Sequence, residues 1–284
     1  NLGFWALIRN LGNLSKVGVL NTNNFDIMDY ILSKITDPGQ IQRSRLHPLH
    51  FLSANLTYSS GKGVKGHGEW EPVVSIVDAL EKGFYLAFKN IIPTNQRILL
   101  ALDVSSSMGS GTVGGAVGLT PALASAALSL VTLKTESNVL TCAFADEFKK
   151  LDLHKAETLQ EALSLTKNIT FGGTDCAIPM IWAQKHKIPI DAFVVFTDSE
   201  TWSGGMHPIQ ALQSYRQSMN LPRAKLIIVG MLSNAFSIAG KGSNDAGTLD
   251  VVGFDTSTPA LIADFIREKP IIDLIPVEDY ELVI

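Results

Sequence analysis

The sequence predicts an α/β fold, a doubly wound and mostly parallel sheet, preceded by an all-α segment of helical hairpins. Three observations lead there. Four near-continuous apolar runs lie between residues 97 and 230, as expected of parallel strands covered on both faces. Amphipathic stretches long enough for helices fall between and after them. Before Pro93 the apolar residues instead follow only the helical period.

The helical part comes first. Phe4, Leu7, Ile8 and Leu11 share one helix face, and further helices are expected around 25–35, 41–59 and 72–89. Asp37-Pro38-Gly39 and Glu71-Pro72 break the pattern, because proline disfavours helical backbone in the preceding residue and opens the next helix well. Strands are then expected at Arg97–Asp103, Val139–Phe144, Ala192–Thr197 and Lys225–Gly230, with helices near 119–134, 176–187, 208–219 and 258–267. This divides the chain into residues 1–92 and 93–284. In a doubly wound sheet, ligands bind at the carboxyl ends of the strands.

With 46% hydrophobic and 18% charged residues among 284, extensive disorder is not expected. Asp103 cuts short the apolar run that precedes it, and no run reaches the roughly 18 to 20 residues that span a bilayer. The start does not read as a signal peptide. It lacks a methionine and falls inside a helical pattern, so sequence N-terminal to it is expected to be missing. Cys142 and Cys176 lie in a strand and a turn, which favours free thiols and hence a cytoplasmic setting. Net charge is −4 overall, split into +2 for residues 1–95 and −6 for the remainder. A polyanion would prefer the first part and a cation the second.

Strand one ends in Asp103-Val-Ser105-Ser-Ser107, which brings a carboxylate and two hydroxyls to the carboxyl edge of the sheet. Two other segments can reach that edge: Phe171-Gly-Gly-Thr174-Asp175, with its paired glycines, and Phe196-Thr197-Asp198. Alone, Asp-x-Ser-x-Ser reads as a turn with helix-capping serines. Three such segments together favour a metal site formed by Asp103, Ser105, Ser107, Thr174 and Asp198. Mg²⁺ takes about six oxygens and retains some water, a need that two carboxylates and three hydroxyls suit, with Mn²⁺ an alternative. Few charges leave the ion underneutralised, free to accept a carboxylate or phosphate oxygen from a partner.

This arrangement resembles the metal-ion-dependent adhesion site of von Willebrand factor A domains, including Met108 after the last serine. The resemblance implies direct or nearly direct coordination by the two serines and the threonine, with the aspartates acting directly or through water. A narrower resemblance covers nearly the whole chain. Arg45-Leu-His47-Pro48, Gly66 with Trp70, Gly172-Gly-Thr-Asp-Cys176, Pro179-Met-Ile-Trp-Ala-Gln184, His207-Pro208 and Gly253-Phe-Asp-Thr256 are similar to the Ro ribonucleoprotein family. It implies a TROVE ring of helical repeats closed by an A domain, binding Y RNAs and misfolded noncoding RNAs in RNA quality control. The sequence holds neither a Walker lysine-hydroxyl pair nor a Gly-x-Ser-x-Gly elbow, so no enzymatic activity is expected. Most of the ring has no counterpart here, and residues 270–284 find no place in the family pattern.

Weaker signals remain. Gly109-x-Gly111-x-x-Gly114 matches a dinucleotide-binding fingerprint and supports the alternative of a nucleotide-dependent enzyme, although it begins too far past the strand end. A generic metal-dependent protein-binding A domain is the other alternative. Arg43, Arg45, Lys62 and Lys65, with His47, His50 and His67 nearby, form a candidate RNA surface, with Tyr58 and Trp70 available to stack on bases. His207-Pro208 reads as a helix start and Cys176 as a packed residue, while Glu200, near Asp198, is a candidate for tuning the metal site from behind its ligands.

Overall fold

The computed structural model describes residues 3–63, 68–115, 117–167, 169, 173–198, 204–232, 246–253 and 255–267. Five helices open the chain: α1 (Phe4–Lys16), α2 (Phe25–Ile35), α3 (Pro38–Ser44), α4 (Pro48–Ser59) and α5 (Val74–Leu86), followed by a 3-10 turn at Ala87–Asn90. The single helix expected over 41–59 is in fact two. Arg45 turns left-handed at φ 53°, Pro48 occupies the first helical position of α4, and the His47 ring caps it by accepting from the Leu49 N–H at 3.2 Å. Asp37 caps α3 by accepting from the Gln40 N–H at 2.8 Å. α4 and α5 pack as a hairpin, and Gly83 permits it: a Cβ there would lie 2.5 Å from the Phe51 ring.

The sheet follows in βα order. β1 (Ile98–Asp103) leads to α6 (Pro121–Thr135), β2 (Val139–Phe144), β3 (Phe148–Lys150), α7 (Leu159–Lys167), α8 (Ile178–Lys185) and β4 (Ala192–Thr197). Then come α9 (Pro208–Met219), β5 (Lys225–Gly230), β6 (Thr248–Val252) and α10 (Thr258–Arg267). The strand order is β3-β2-β1-β4-β5-β6, all parallel except the antiparallel edge strand β3. The sequence pattern does not reveal β3, β6 or α7. β3 is three residues with two lysines, and Asp250 interrupts the apolar run of β6.

Alternate strand residues face opposite sides. Leu99, Ala101, Phe193, Val195, Leu226 and Ile228 pack under α8 and α9 with Met180, Leu212 and Tyr215. Leu100, Leu102, Val194, Phe196 and Ile227 pack on the other side, in a cluster that also takes in Leu11, Phe51 and Leu80 from the opening helices. The buried core therefore runs across Pro93. Polar bonds hold the stretch just after Pro93 and cross the boundary itself: Glu136 accepts from the Thr94 and Asn95 N–H groups at 2.5 and 3.0 Å, and Tyr85 Oη accepts from Leu159 N–H at 3.1 Å across it. Arg267 donates to the Ile92 carbonyl.

β1 lies between β2 and β4, so connections depart from it in both directions. In sheets of this kind the ligand crevice lies at the carboxyl ends of the strands where the connections diverge, here β1 and β4.

Candidate functional site

Asp103 ends β1 and is only 3% exposed. Its carboxylate gathers the neighbouring segments. Oδ1 accepts from the Ser105 N–H at 2.8 Å, and Oδ2 accepts from Thr197 Oγ1 at 2.7 Å and Thr174 Oγ1 at 3.3 Å. Thr197 is the last residue of β4, so one carboxylate ties the two central strand ends together. The segment carrying Thr174 is held in place where the Asp175 N–H donates to the Ala145 carbonyl at 2.7 Å, just beyond β2. Asp175 then accepts from the Ala177 N–H at 2.9 Å at the entry to α8. Ser105 Oγ and Ser107 Oγ lie 3.1 Å apart, above Met108, which is buried and anchors the turn.

Asp198 follows β4 and is 7% exposed. Burial pushes its carboxyl above the usual range, repulsion from Asp103 adds to this, and a hydrogen bond with Ser107 opposes it. Its Oδ1 is buried without a hydrogen-bond partner among the described residues. All five residues singled out in the sequence thus meet at one sheet edge. Thr197, which the sequence reading passed over, joins them. Its signal was a hydroxyl closing an otherwise apolar strand.

The residues present suit a hard cation. Two buried carboxylates repel each other, one keeps an oxygen unsatisfied, and the surrounding donors are hydroxyls, which favour hard ions over soft ones. No group of three or more His, Cys, Asp or Glu able to hold a metal occurs among the described residues, so most donors here would be alcohols. Cys176 is fully buried, and burial, then the charges of Asp103, Asp175 and Asp250, push its thiol up. It packs as a small neutral residue, and both cysteines are free thiols. Glu200 lies outside the described residues.

The other sequence candidates fare differently. Gly109, Gly111 and Gly114 sit in 3-10 turns and bends, and α6 begins only at Pro121. The glycine loop therefore does not open a helix as a dinucleotide fingerprint requires. His207 is the N-cap of α9, with Pro208 in the first position. Arg43, Arg45 and Lys62 are exposed, whereas Lys65 and His67 lie outside the described residues. Tyr58 and Trp70, expected to be available for bases, are spent internally. Their rings stack at 6.1 Å, Trp70 Nε1 donates to the Tyr58 carbonyl at 2.8 Å, and Tyr58 Oη bonds Ser15 and the Val73 N–H. Trp70 also covers Gly12 of α1, where a Cβ would meet its ring at 2.7 Å. Burial, then the nearby charge of His50, lowers the His47 pKa to about 3, so it caps α4 as a neutral ring. His50 packs edge-on against Trp5 at 4.8 Å.

Residues 97–266 match the model of the Ro60 vWA domain, and residues 1–57 match that of the TROVE domain. The chain belongs to the Ro60 family. Over 266 residues it is 48% identical to the RNA-binding protein RO60 of Deinococcus radiodurans, covering 93% of this chain and 49% of that protein. It is 38% identical to the RNA-binding protein RO60 of Caenorhabditis elegans, covering 93% of this chain and 40% of that one. The crystal structure of the Deinococcus radiodurans Ro (RSR) protein superposes with a TM-score of 0.88 at 48% identity, over 94% of this chain and 53% of that one. The chain thus spans half or less of the length of these curated relatives, and both Ro60 family modules are represented in it. No helix among the described residues is long and apolar enough to cross a membrane.

Proposed function

We propose that this chain binds RNA as part of a ribonucleoprotein, with Y RNAs and misfolded noncoding RNAs as its ligands and RNA quality control as its role. The supporting observation is 48% identity, across 93% of the chain, to a protein named for RNA binding. Binding rather than catalysis is the proposed activity, and Arg43, Arg45, Lys62 and Lys65 the proposed phosphate contacts. A reducing, cytoplasmic setting accords with two buried free thiols.

The A domain is further proposed to hold Mg²⁺ or Mn²⁺ between Asp103, Ser105, Ser107, Thr174 and Asp198. The unsatisfied Asp198 oxygen supports this. A bound ion would supply an open position for an acidic group of a protein partner. The chain's own residues do the positioning: Asp103 fixes Ser105, Thr174 and Thr197, and Ser107 orients Asp198.

Fluorescence anisotropy with single-stranded RNA tests the first part. Binding is expected to be weak and to fall steeply between about 50 and 200 mM salt, because counterion release supplies most of the affinity. Reversing the charge of Arg43, Arg45, Lys62 and Lys65 together is expected to reduce it. Absence of binding at low salt, or binding indifferent to salt, overturns this reading.

A further inference from the structure

The edge of the A domain formed by β3 and α8 carries a column of three rings. Phe148 stacks on Trp182 at 4.0 Å with 6° between planes, and Trp182 stacks on His186 at 4.6 Å and 28°. The sequence explains the column. Trp182 and His186 are four residues apart at the end of α8, so they lie on one helix face, and the His186 ring is steered by a 2.9 Å bond between Nδ1 and the Trp182 carbonyl. Phe148 reaches them from the edge strand. Both faces of the Trp182 ring are taken, so the column ends in His186, which is exposed.

Cations flank the column at both ends. Lys185 and Lys187 are the chain neighbours of His186, and Lys187 is held in a left-handed turn at φ 54°. Lys150 shares the Phe148 side of β3, two residues on. All three lysines are exposed, and none has an ion pair among the described residues. Asp152, an acidic group whose charge interacts with that of Lys150, is bonded to Lys155 at 3.1 Å.

We propose that this edge is a second RNA contact, on which an unpaired base stacks against His186 as the fourth ring while Lys150, Lys185 and Lys187 neutralise its phosphates. The proposal rests on the RNA-binding reading of the chain. Sequence-tolerant holding of single strands combines these features, since every base offers a π-face and every nucleotide a phosphate. Its location matters because the A domain part of the chain is acidic overall. These exposed lysines, without an ion pair among the described residues, are where a polyanion would approach it. Paired RNA keeps its bases within the helix and offers no free face, so the column should discriminate against duplexes.

The test uses the whole chain and a 5′-labelled single-stranded oligouridylate of about twelve nucleotides, a length suited to sites of this kind, alongside a duplex RNA of the same length. His186→Ala is expected to weaken single-strand binding about fivefold or more and to leave duplex binding unchanged. Lys185→Glu with Lys187→Glu is expected to flatten the salt dependence of both. Both changes are at exposed positions, and unchanged melting curves would establish that the fold persists. Wild-type affinity in both variants, together with loss in Arg43→Glu with Arg45→Glu, overturns the proposal and leaves RNA binding in the helical part intact. Failure of the unaltered chain to bind either RNA overturns both. Should oligoglutamate bind and be lost in the lysine variant while RNA binding is unchanged, the edge serves an acidic protein instead, and the proposal fails.

Discussion

Asp191 and Asp198 flank the same strand, β4, at opposite edges of the sheet, and the fold treats them in opposite ways. Asp191 accepts from Arg97 Nε and Nη2 at 2.8 and 2.5 Å and from the Arg97 backbone N–H at 2.9 Å. Its own backbone carbonyl accepts from the Lys225 N–H at 2.8 Å, so the entry points of β1, β4 and β5 are joined through one residue. The side-chain hydrogen bonds from Arg97 hold its carboxyl below the ordinary range, against the opposing effect of burial. Asp198 has no ion pair with a cation among the described residues. It faces Asp103, its carboxyl is pushed up, and one oxygen stays unsatisfied. One edge spends its aspartate on stability; the other retains a strained pair of carboxylates. Four buried side-chain atoms lack a partner among the described residues, Asn90 Oδ1, Ser129 Oγ and Arg267 Nε besides Asp198 Oδ1; of these, the Asp198 oxygen is the one that follows the carboxyl end of a strand, where ligands of such sheets bind and where local polar rules tend to fail.

The largest expected effect comes from removing the centre of the strained edge. Asp103→Ala eliminates the acceptor shared by Ser105, Thr174 and Thr197. It also removes one of the two carboxylates assigned to the ion. Mn²⁺ affinity measured by calorimetry should fall by about 100-fold or more from a starting point in the micromolar to millimolar range. Equal uptake by the unaltered chain and the variant would place the ion elsewhere. At the opposite edge, Asp191→Ala should leave Mn²⁺ affinity unchanged and cost about 1–2 kcal/mol of stability. The lower end is favoured because the Arg97 side chain is 40% exposed and solvent screens the pair. Because the folded carboxyl is depressed, this stability is present above the unfolded value of about 3.9 and is lost as pH falls through the folded one. The gap in Tm between variant and parent should therefore close below about pH 4.

Much of this contrast is visible in the sequence. A polar cluster emerging from an apolar strand, as at Asp103-Val-Ser105-Ser-Ser107, marks a strand end, and the order of the three segments brings them to one edge. β1, β2, β4 and β5 are legible because strands buried on both faces must be apolar throughout. β3 and β6 are not, since edge strands tolerate charge. The break between α3 and α4 was present in His47-Pro48, but the flanking apolar residues kept a helical period and masked it. Tyr58 and Trp70 mislead for a different reason. Composition shows that aromatic rings are present, not whether they face a ligand or one another. Likewise, periodicity identifies the apolar face of each opening helix but not its cover, so the core shared across Pro93 emerges only in three dimensions.

The smallest expected effect is also the one that most directly contrasts the two aspartates. Asp198→Asn preserves the shape of the side chain and an oxygen for Ser107, while it removes a desolvated charge that faces Asp103. Without metal, the variant should be slightly more stable than its parent, with Tm higher by roughly 1–2 °C for a domain of this size. The pH sign is opposite to that of Asp191. A raised folded carboxyl contributes stability that is present below the unfolded value of about 3.9 and is lost as pH rises through the folded one, so the parent is penalised at neutral pH. The advantage of the variant should vanish below about pH 4. Saturating Mn²⁺ should reverse the order at pH 7, since an ion that binds only the folded parent stabilises it by mass action. A variant that melts below its parent in chelator at pH 7 would show that Asp198 already has a stabilising partner, and the contrast between the two edges would fail.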